Sequence, residues 1–169
     1  SNLRPISLNK PGVNLVRTGG FNSAPSLNNL SPAIVLPEKA GFRTVLLHHS
    51  GVSPWQEDLE NPLILDRLGD GMFFLQVFMR GNPFVGDEGR KEPWVAVIKQ
   101  LQRKKLLAGL VVYGSKYFWQ DLIAVLESSI PAVYSPGQFQ ESQRHALVSL
   151  LEPNDDDEVG FSNSRNFTD

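Results

Sequence analysis

The chain has 169 residues, a formal net charge of −2 and no cysteine, and 41% of its residues are hydrophobic. This length fits one domain with a sizeable core better than two domains. No apolar run approaches the roughly 20 residues that a membrane-spanning helix needs, so no membrane partner is expected. The lack of cysteine excludes disulfides, thiol catalysis and thiolate metal sites, and we expect a cytoplasmic location.

Charge is distributed unevenly along the sequence. From Glu152 onward six acidic residues stand against one base, Arg165, so this segment carries −5 and the rest of the chain carries +3. A body at +3 is too weakly basic to indicate nucleic-acid binding. Residues 153–169 are predicted to be an acidic, solvated, flexible tail, because the acidic run lacks the glycine turn and ligand spacing of a calcium loop.

The first forty residues are rich in Asn, Pro, Gly and Ser, and their apolar stretches are short. Residues 13–16 and 33–36 are each predicted to form a short strand. The second of these strands is predicted at a sheet edge, because Pro32 and Pro37 remove backbone donors on both sides of it. Residues 1–41 are therefore interpreted as a segment that packs on a domain of residues 42–152.

Strand patterns alternate with helix patterns from Arg43 onward. The run from Met72 to Phe78 is almost continuously apolar, as expected for a strand that is covered on both faces. Ser115 is a candidate cap for the helix that follows it. The predicted strands span residues 44–48, 72–78, 110–113 and 132–134, and the predicted helices span residues 54–68, 93–105, 117–128 and 139–151. This alternation predicts a three-layer α/β sandwich with a mainly parallel sheet, of flavodoxin-like character.

Ligands of such folds bind at the carboxyl ends of the strands. The residues there that could bind a substrate are Arg80, Asn82, Ser115 and Gln138. Arg80 could pair with a carboxylate or phosphate, and Asn82 could bond a sugar hydroxyl. Both also fit structural roles, since Arg80 could pair with an acid of the protein itself and Asn82 could stabilise its own turn.

The sequence offers no recognisable catalytic set. His48 and His49 are adjacent, so on a strand they point to opposite faces and cannot share one metal ion. Phosphate-loop, dinucleotide and Gly-x-Ser-x-Gly patterns do not occur in the sequence. We therefore assign no catalytic residue, no metal ligand and no cofactor.

Four short segments carry a family resemblance. They are Pro-Ala-Ile-Val-Leu-Pro at 32–37, Arg-Gly-Asn-Pro-Phe at 80–84, Val-Tyr-Gly-Ser-Lys-Tyr at 112–117 and Ser-Pro-Gly-Gln-Phe at 135–139. In this order they resemble the C-terminal domain of glycoside hydrolase family 3 proteins. The similarity is to β-glucosidase or β-N-acetylhexosaminidase-like members of the cyanobacterial type.

The resemblance implies a parent protein that hydrolyses terminal β-linked glucose or N-acetylglucosamine. Its partner is then the N-terminal catalytic barrel of the same protein, which this chain does not contain. The carbohydrate substrate is bound by the parent protein and not by this domain alone. The isolated chain is predicted to be inactive. Two alternatives stay open: a stand-alone small-molecule or nucleotide-binding domain, and a protein-interaction module with an apolar patch around Trp55, Phe84 or Trp119.

Overall fold

The computed structural model describes residues 5–6, 12–18, 27–47, 53–79 and 92–151. Within these ranges the strands are β1 (Val13–Arg17), β2 (Arg43–Leu47), β3 (Phe73–Met79), β4 (Leu107–Gly114) and β5 (Ala132–Ser135). The helices are α1 (Pro32–Lys39), α2 (Trp94–Arg103), α3 (Lys116–Ile123) and α4 (Gln140–Leu151), and Leu65–Arg67 forms a short 3-10 turn.

The strands form one sheet in the order β2-β1-β3-β4-β5, and every neighbouring pair is parallel. This is the strand order of flavodoxin-like folds. Helices α1 and α4 cover one face, and α2 and α3 cover the other. The predicted three-layer α/β sandwich with a parallel sheet is confirmed.

The core consists of two clusters, one on each side of the sheet. All seven residues of β3 are buried, with Phe73 and Leu75 in the cluster under α2 and α3, and Phe74 and Phe78 in the cluster under α1 and α4. The alternation follows from the two-residue period of a strand. Burying one such large apolar side chain stabilises the fold by about 1.5–3 kcal/mol, so the central strands supply much of the folding free energy.

The strand and edge position predicted for residues 33–36 are wrong, because these residues lie in α1. Pro32 occupies the first helical turn, where its missing N–H has no partner to lose. Pro37 lies inside the helix and removes the backbone donor that Ala33 O would otherwise receive. Ala33 O accepts instead from the side-chain amides of Asn14, at 2.9 Å, and Gln76, at 2.8 Å.

The hydrogen-bond network around Ala33 also includes side chains of α4 and β4. Gln143 of α4 accepts the Ala33 N–H at 3.1 Å, and the Tyr113 hydroxyl donates to Gln76 at 2.8 Å. Among the described residues, every buried side-chain nitrogen or oxygen has a hydrogen-bond partner. Side chains of the sheet and of α4 therefore satisfy the backbone groups of α1 that the helix itself leaves unpaired.

The helix predicted for residues 54–68 is also wrong. Trp55 and Leu63 form an isolated antiparallel bridge, and the only helical piece in this part of the described chain is the turn Leu65–Arg67. Pro54 and Pro62 disfavour a continuous helix. Asp58 accepts the backbone N–H groups of Glu60 and Asn61, which closes a turn instead.

The remaining predicted elements are confirmed with small shifts of their ends. The helix predicted for residues 117–128 ends at Ile123, whereas α2 and α4 agree closely with their predicted spans. The segment 13–16 is a strand, and it lies between β2 and β3 with all its residues buried. The predicted tail, 153–169, lies outside the described residues.

Candidate functional site

The part of the strand-end crevice that the structure describes lies at β4 and β5. The loops that follow β1, β2 and β3 fall mainly outside the described residues, and these include the candidates Arg80 and Asn82 and both His48 and His49. Ser115 and Gln138 are described. The geometry of the site is therefore built from the last residues of β4 and β5 and the segments after them.

Ser115 starts α3. Its Oγ accepts the backbone N–H of Phe118 at 3.2 Å, as the sequence predicts for a helix cap. The residue is buried, with 6% of its surface exposed. Its hydroxyl oxygen thus has a structural partner, and a role in substrate binding stays a prediction.

Gln138 lies beside Gly114, so the structure brings it to the same strand ends as Ser115. Its Nε2 is 3.5 Å from Tyr113 O, a long contact, and its own carbonyl accepts from Gln143 Nε2 at 2.9 Å. The side-chain amide is half-buried, and this long contact is its one hydrogen bond to the described residues. Of the two described candidates, Gln138 is the better placed to bond another molecule.

Tyr134 and Trp119 stabilise the ends of β4 and β5. The Tyr134 hydroxyl donates to Gly114 O at 2.9 Å, and its ring stacks on Trp119 with 6.0 Å between the ring centroids. Burial raises the pKa of Tyr134, which keeps the hydroxyl protonated as a donor. The ends of β4 and β5 are therefore held together by fixed contacts.

Two aromatic side chains stand out from this edge into solvent. Tyr117, in the first turn of α3, is 72% exposed, and Phe139, just before α4, is 76% exposed. The sequence-predicted patch is wrong for Trp55 and Trp119, because both are partly buried against the core, and Trp55 makes an edge contact with Trp94 at 5.5 Å. Phe84 lies outside the described residues.

Sequence reasoning missed an ion pair at the end of β1 between a buried arginine, Arg17, and a half-buried glutamate, Glu92. Arg17 Nη2 lies 2.8 Å from Glu92 Oε1, and Arg17 Nη1 donates to Phe78 O at 3.0 Å. Trp94 Nε1 donates to the other carboxylate oxygen at 3.3 Å. Two features of the sequence could have indicated this pair. Arg17 ends an apolar strand, and Glu92 directly precedes the Pro-Trp pair that starts a helix. The pair joins β1, β3 and α2, and the carboxylate is neutralised by the guanidinium.

A groove of about 660 Å³ lies between residues 59–60 and the segment 92–103, which contains α2. Trp94 and Ala96 line it, Lys99 and Arg103 stand at one end, and Leu59 is 91% exposed. Arg103 donates to Glu60 O at 2.6 Å. The groove lies on the α2 face, and neither Ser115 nor Gln138 lines it.

Metal and membrane features were searched over the described part of the chain. No group of three or more His, Cys, Asp or Glu side chains there is arranged to hold a metal ion. No helix in those ranges has the length and apolar character needed to cross a bilayer.

Comparison with known proteins identifies a family. The sequence fits the family described as "Bacterial Glycosyl hydrolase family 3 C-terminal domain" over residues 6–152. No curated protein matches the chain. The matched span contains all the strands and helices described above.

Proposed function

Because the chain belongs to the family of bacterial glycosyl hydrolase family 3 C-terminal domains, we propose that it acts as the accessory domain of a glycoside hydrolase. The family match over residues 6–152 is the observation that carries this proposal. A C-terminal domain of this family implies a catalytic domain in the parent protein, and that domain is the expected partner. Hydrolysis of the glycosidic bond is assigned to that catalytic domain.

The parent's substrate is the finer part of the proposal. Resemblance to β-glucosidase and β-N-acetylhexosaminidase-like members supports a terminal β-linked glucose or N-acetylglucosamine. Retaining hydrolysis of either sugar needs an acid/base group and a carboxylate nucleophile, which in most such enzymes are about 5–5.5 Å apart. Glu92 is a poor candidate for either role because Arg17 and Trp94 already bind its carboxylate.

A cytoplasmic location of the parent protein is part of the same proposal, and cell fractionation tests it.

The chain alone is expected to give no turnover of nitrophenyl β-glucoside or nitrophenyl β-N-acetylglucosaminide. The parent protein containing both domains is the positive control, since it should release nitrophenol from one of them. Activity of the isolated chain that persists through repurification contradicts the assignment of catalysis to the partner domain. A parent inactive on both compounds contradicts the proposed substrate class.

The strand-end surface is proposed as the contact with the catalytic domain. Tyr117 and Phe139 support this, because solvent-exposed aromatic side chains on one edge are typical of protein contact surfaces. Ser115 and Gln138 lie close to these aromatics in the sequence, so a substrate role for Gln138 fits only if the catalytic site opens toward this surface. The interaction-module alternative, for which the sequence suggested Trp55, Phe84 or Trp119, is better served by these two exposed aromatics.

Replacing both aromatics, Tyr117→Ser with Phe139→Ser, is expected to weaken binding of the catalytic domain by about tenfold or more, since aromatic anchors at interfaces are each worth about 1–2 kcal/mol or more. Titration calorimetry with the separately produced catalytic domain measures the loss. Leu59→Ser is the matched control, because Leu59 is even more exposed than the two aromatics but lies at the groove beside α2. Equal weakening by the control, or none by the double variant, contradicts this choice of surface.

The small-molecule alternative predicts a different result. A stand-alone flavodoxin-like binder is expected to be stabilised against thermal unfolding by FMN or ATP and not by sugars. A thermal-shift comparison of these ligands on the isolated chain separates the two functions. Stabilisation by a nucleotide in the absence of any catalytic domain favours the alternative.

A further inference from the structure

Strand β2 is an open edge of the sheet. It pairs with β1 on one side, and no strand of the described chain pairs with its other side. The N–H of Arg43 and the carbonyl of Leu47 both make hydrogen bonds on the β1 side. Because this direction alternates along a strand, Thr44 and Leu46 turn their N–H and C=O groups outward. The edge therefore offers two donors and two acceptors to another strand.

The sequence of β2 lacks the features that usually protect an edge strand, which are lysine, proline, bulges and charges. The strand reads Arg-Thr-Val-Leu-Leu, and its register with β1 is uninterrupted. Its one charged side chain is bound within the chain, because Arg43 Nη2 donates to Leu68 O at 2.7 Å. Leu46 is an apolar side chain with 49% of its surface exposed. Such an edge favours the addition of a further strand.

The other edge strand, β5, differs in this respect. It has four residues, and prolines stand directly before and after it at Pro131 and Pro136. Proline has no N–H to donate to a further strand, so the two prolines limit pairing at this edge. Of the two edges of the described sheet, β2 is the one that stays open to pairing.

A second copy of β2 fits this edge in the antiparallel direction. When Thr44 of one copy lies opposite Leu46 of the other, each of the two such pairs exchanges both N–H···O bonds, which gives four hydrogen bonds. Val45 then faces its own counterpart across the twofold axis. Placing the axis at Thr44 or Leu46 instead leaves one bonded pair within β2. The twofold at Val45 is therefore the best register for self-pairing.

The charges of β2 are compatible with the same register. Arg43 of one copy lies opposite Leu47 of the other, so the two arginines are separated by four residues along the strands. This is roughly 13 Å, which exceeds the Debye length of about 8 Å at physiological salt. The strand thus matches itself in hydrogen bonding without placing like charges face to face, which favours a second copy as the occupant.

We propose that the chain forms a twofold-symmetric dimer in which two β2 edges pair about Val45. The two five-stranded sheets then join into one continuous sheet, and each Leu46 side chain is covered by the other copy. The strand β2 lies at the opposite edge of the sheet from β5, so this contact is separate from the surface at the ends of β4 and β5. The proposal is independent of the glycosidase assignment.

Disulfide cross-linking of the full chain tests the register. The chain has no cysteine, so the single variants Val45→Cys and Leu46→Cys each supply one thiol. Facing Val45 positions are about 4.5 Å apart between Cα atoms, within the range of a disulfide, whereas two Leu46 positions are diagonal neighbours about 7–8 Å apart. Oxidation by copper-phenanthroline is therefore expected to cross-link Val45→Cys several-fold faster than Leu46→Cys. Leu46 is the matched control because it is the more exposed of the two.

Sedimentation velocity tests the hydrogen bonds of the edge. Leu46→Pro removes an outward N–H and no bond to β1, so it removes two of the four bonds of the dimer. It is expected to weaken dimerisation by about tenfold or more. Leu46→Thr keeps the N–H and strand propensity, and it should dimerise within a few-fold of the unmodified chain. Urea denaturation of both variants measures whether the fold is kept, and where Leu46→Pro unfolds the two cysteine variants decide alone.

Three results overturn the proposal. One is a chain that stays monomeric up to about 1 mM, where even weak complexes form. Another is cross-linking of Leu46→Cys as fast as that of Val45→Cys, which indicates random collision. The third is a dimer that Leu46→Pro leaves unchanged. Binding of the separately produced catalytic domain that Leu46→Pro abolishes, with the chain itself monomeric, identifies a strand of that domain as the occupant and also contradicts the dimer.

Discussion

At Gly114 the end of β4 lies against the end of β3 and the segment after β5. Its φ of 101° is in the region that favours glycine. A Cβ at this position would meet the carbonyl oxygen of Met79 and the side-chain amide of Gln138. Only a residue without a side chain allows Gln138 to approach the backbone of β4 in this way.

Gly114→Ala is therefore expected to lower the free energy of unfolding by about 2–4 kcal/mol, since strain and overpacking add. Urea denaturation measures the loss. Gly109→Ala, in the same strand, is the matched control, because its Cβ would press mainly on the flexible end of Ile6. A loss at Gly114 no larger than that at Gly109 would show that the close approach is not the constraint.

Helix α1 shows how an element can depend on distant side chains. Pro37 leaves Ala33 O without its helical donor, and the amides of Asn14 and Gln76 replace it. These partners lie 19 and 43 residues away in the chain. An unpaired buried carbonyl would cost about 1–3 kcal/mol, so the helix and the sheet stabilise each other.

A double-mutant cycle tests this dependence. Asn14→Ala is expected to destabilise less in a Pro37→Ala background, because residue 37 then supplies an N–H to Ala33 O. The coupling should be about 0.5–1 kcal/mol, the usual range for groups that share a partner. Unfolding free energies of the four proteins measure it. Additive losses would mean that the two side chains act independently.

The whole molecule folds around a strand that comes first in the chain. β1 pairs with β2 on one side and β3 on the other, and α1 packs against α4. Without β1, the sheet loses the connection between β2 and the other three strands. The residues before Phe42 thus contribute an inner strand of the sheet, β1, and one of the helices that cover it, α1.

A protein of residues 42–152 is consequently expected not to fold on its own. Circular dichroism should show no cooperative thermal transition for it, whereas residues 5–152 should unfold in one transition. A cooperative transition in the shorter protein would support the division at Phe42 that the sequence suggested.

Local patterns predicted what depends on local chemistry. The apolar runs of β3 and β4 and the serine before α3 could be read correctly, because a buried strand and a helix cap are defined by adjacent residues. Residues 33–36 could not, since two prolines favour an extended edge unless distant amides complete the helix. The approach of Gln138 to Gly114 was not predictable either, because it depends on which strands become neighbours.

The sequence by itself determined the α/β class, the alternation of strands and helices and the family resemblance that the matched family confirms. Only the tertiary structure decided the strand order, the helical state of residues 32–39 and which aromatics reach solvent. Trp119 packs on Tyr134, while Tyr117, two residues earlier, stays exposed. The physical reason is that hydrophobic periodicity is local, whereas burial of a face requires an element from elsewhere in the chain to cover it.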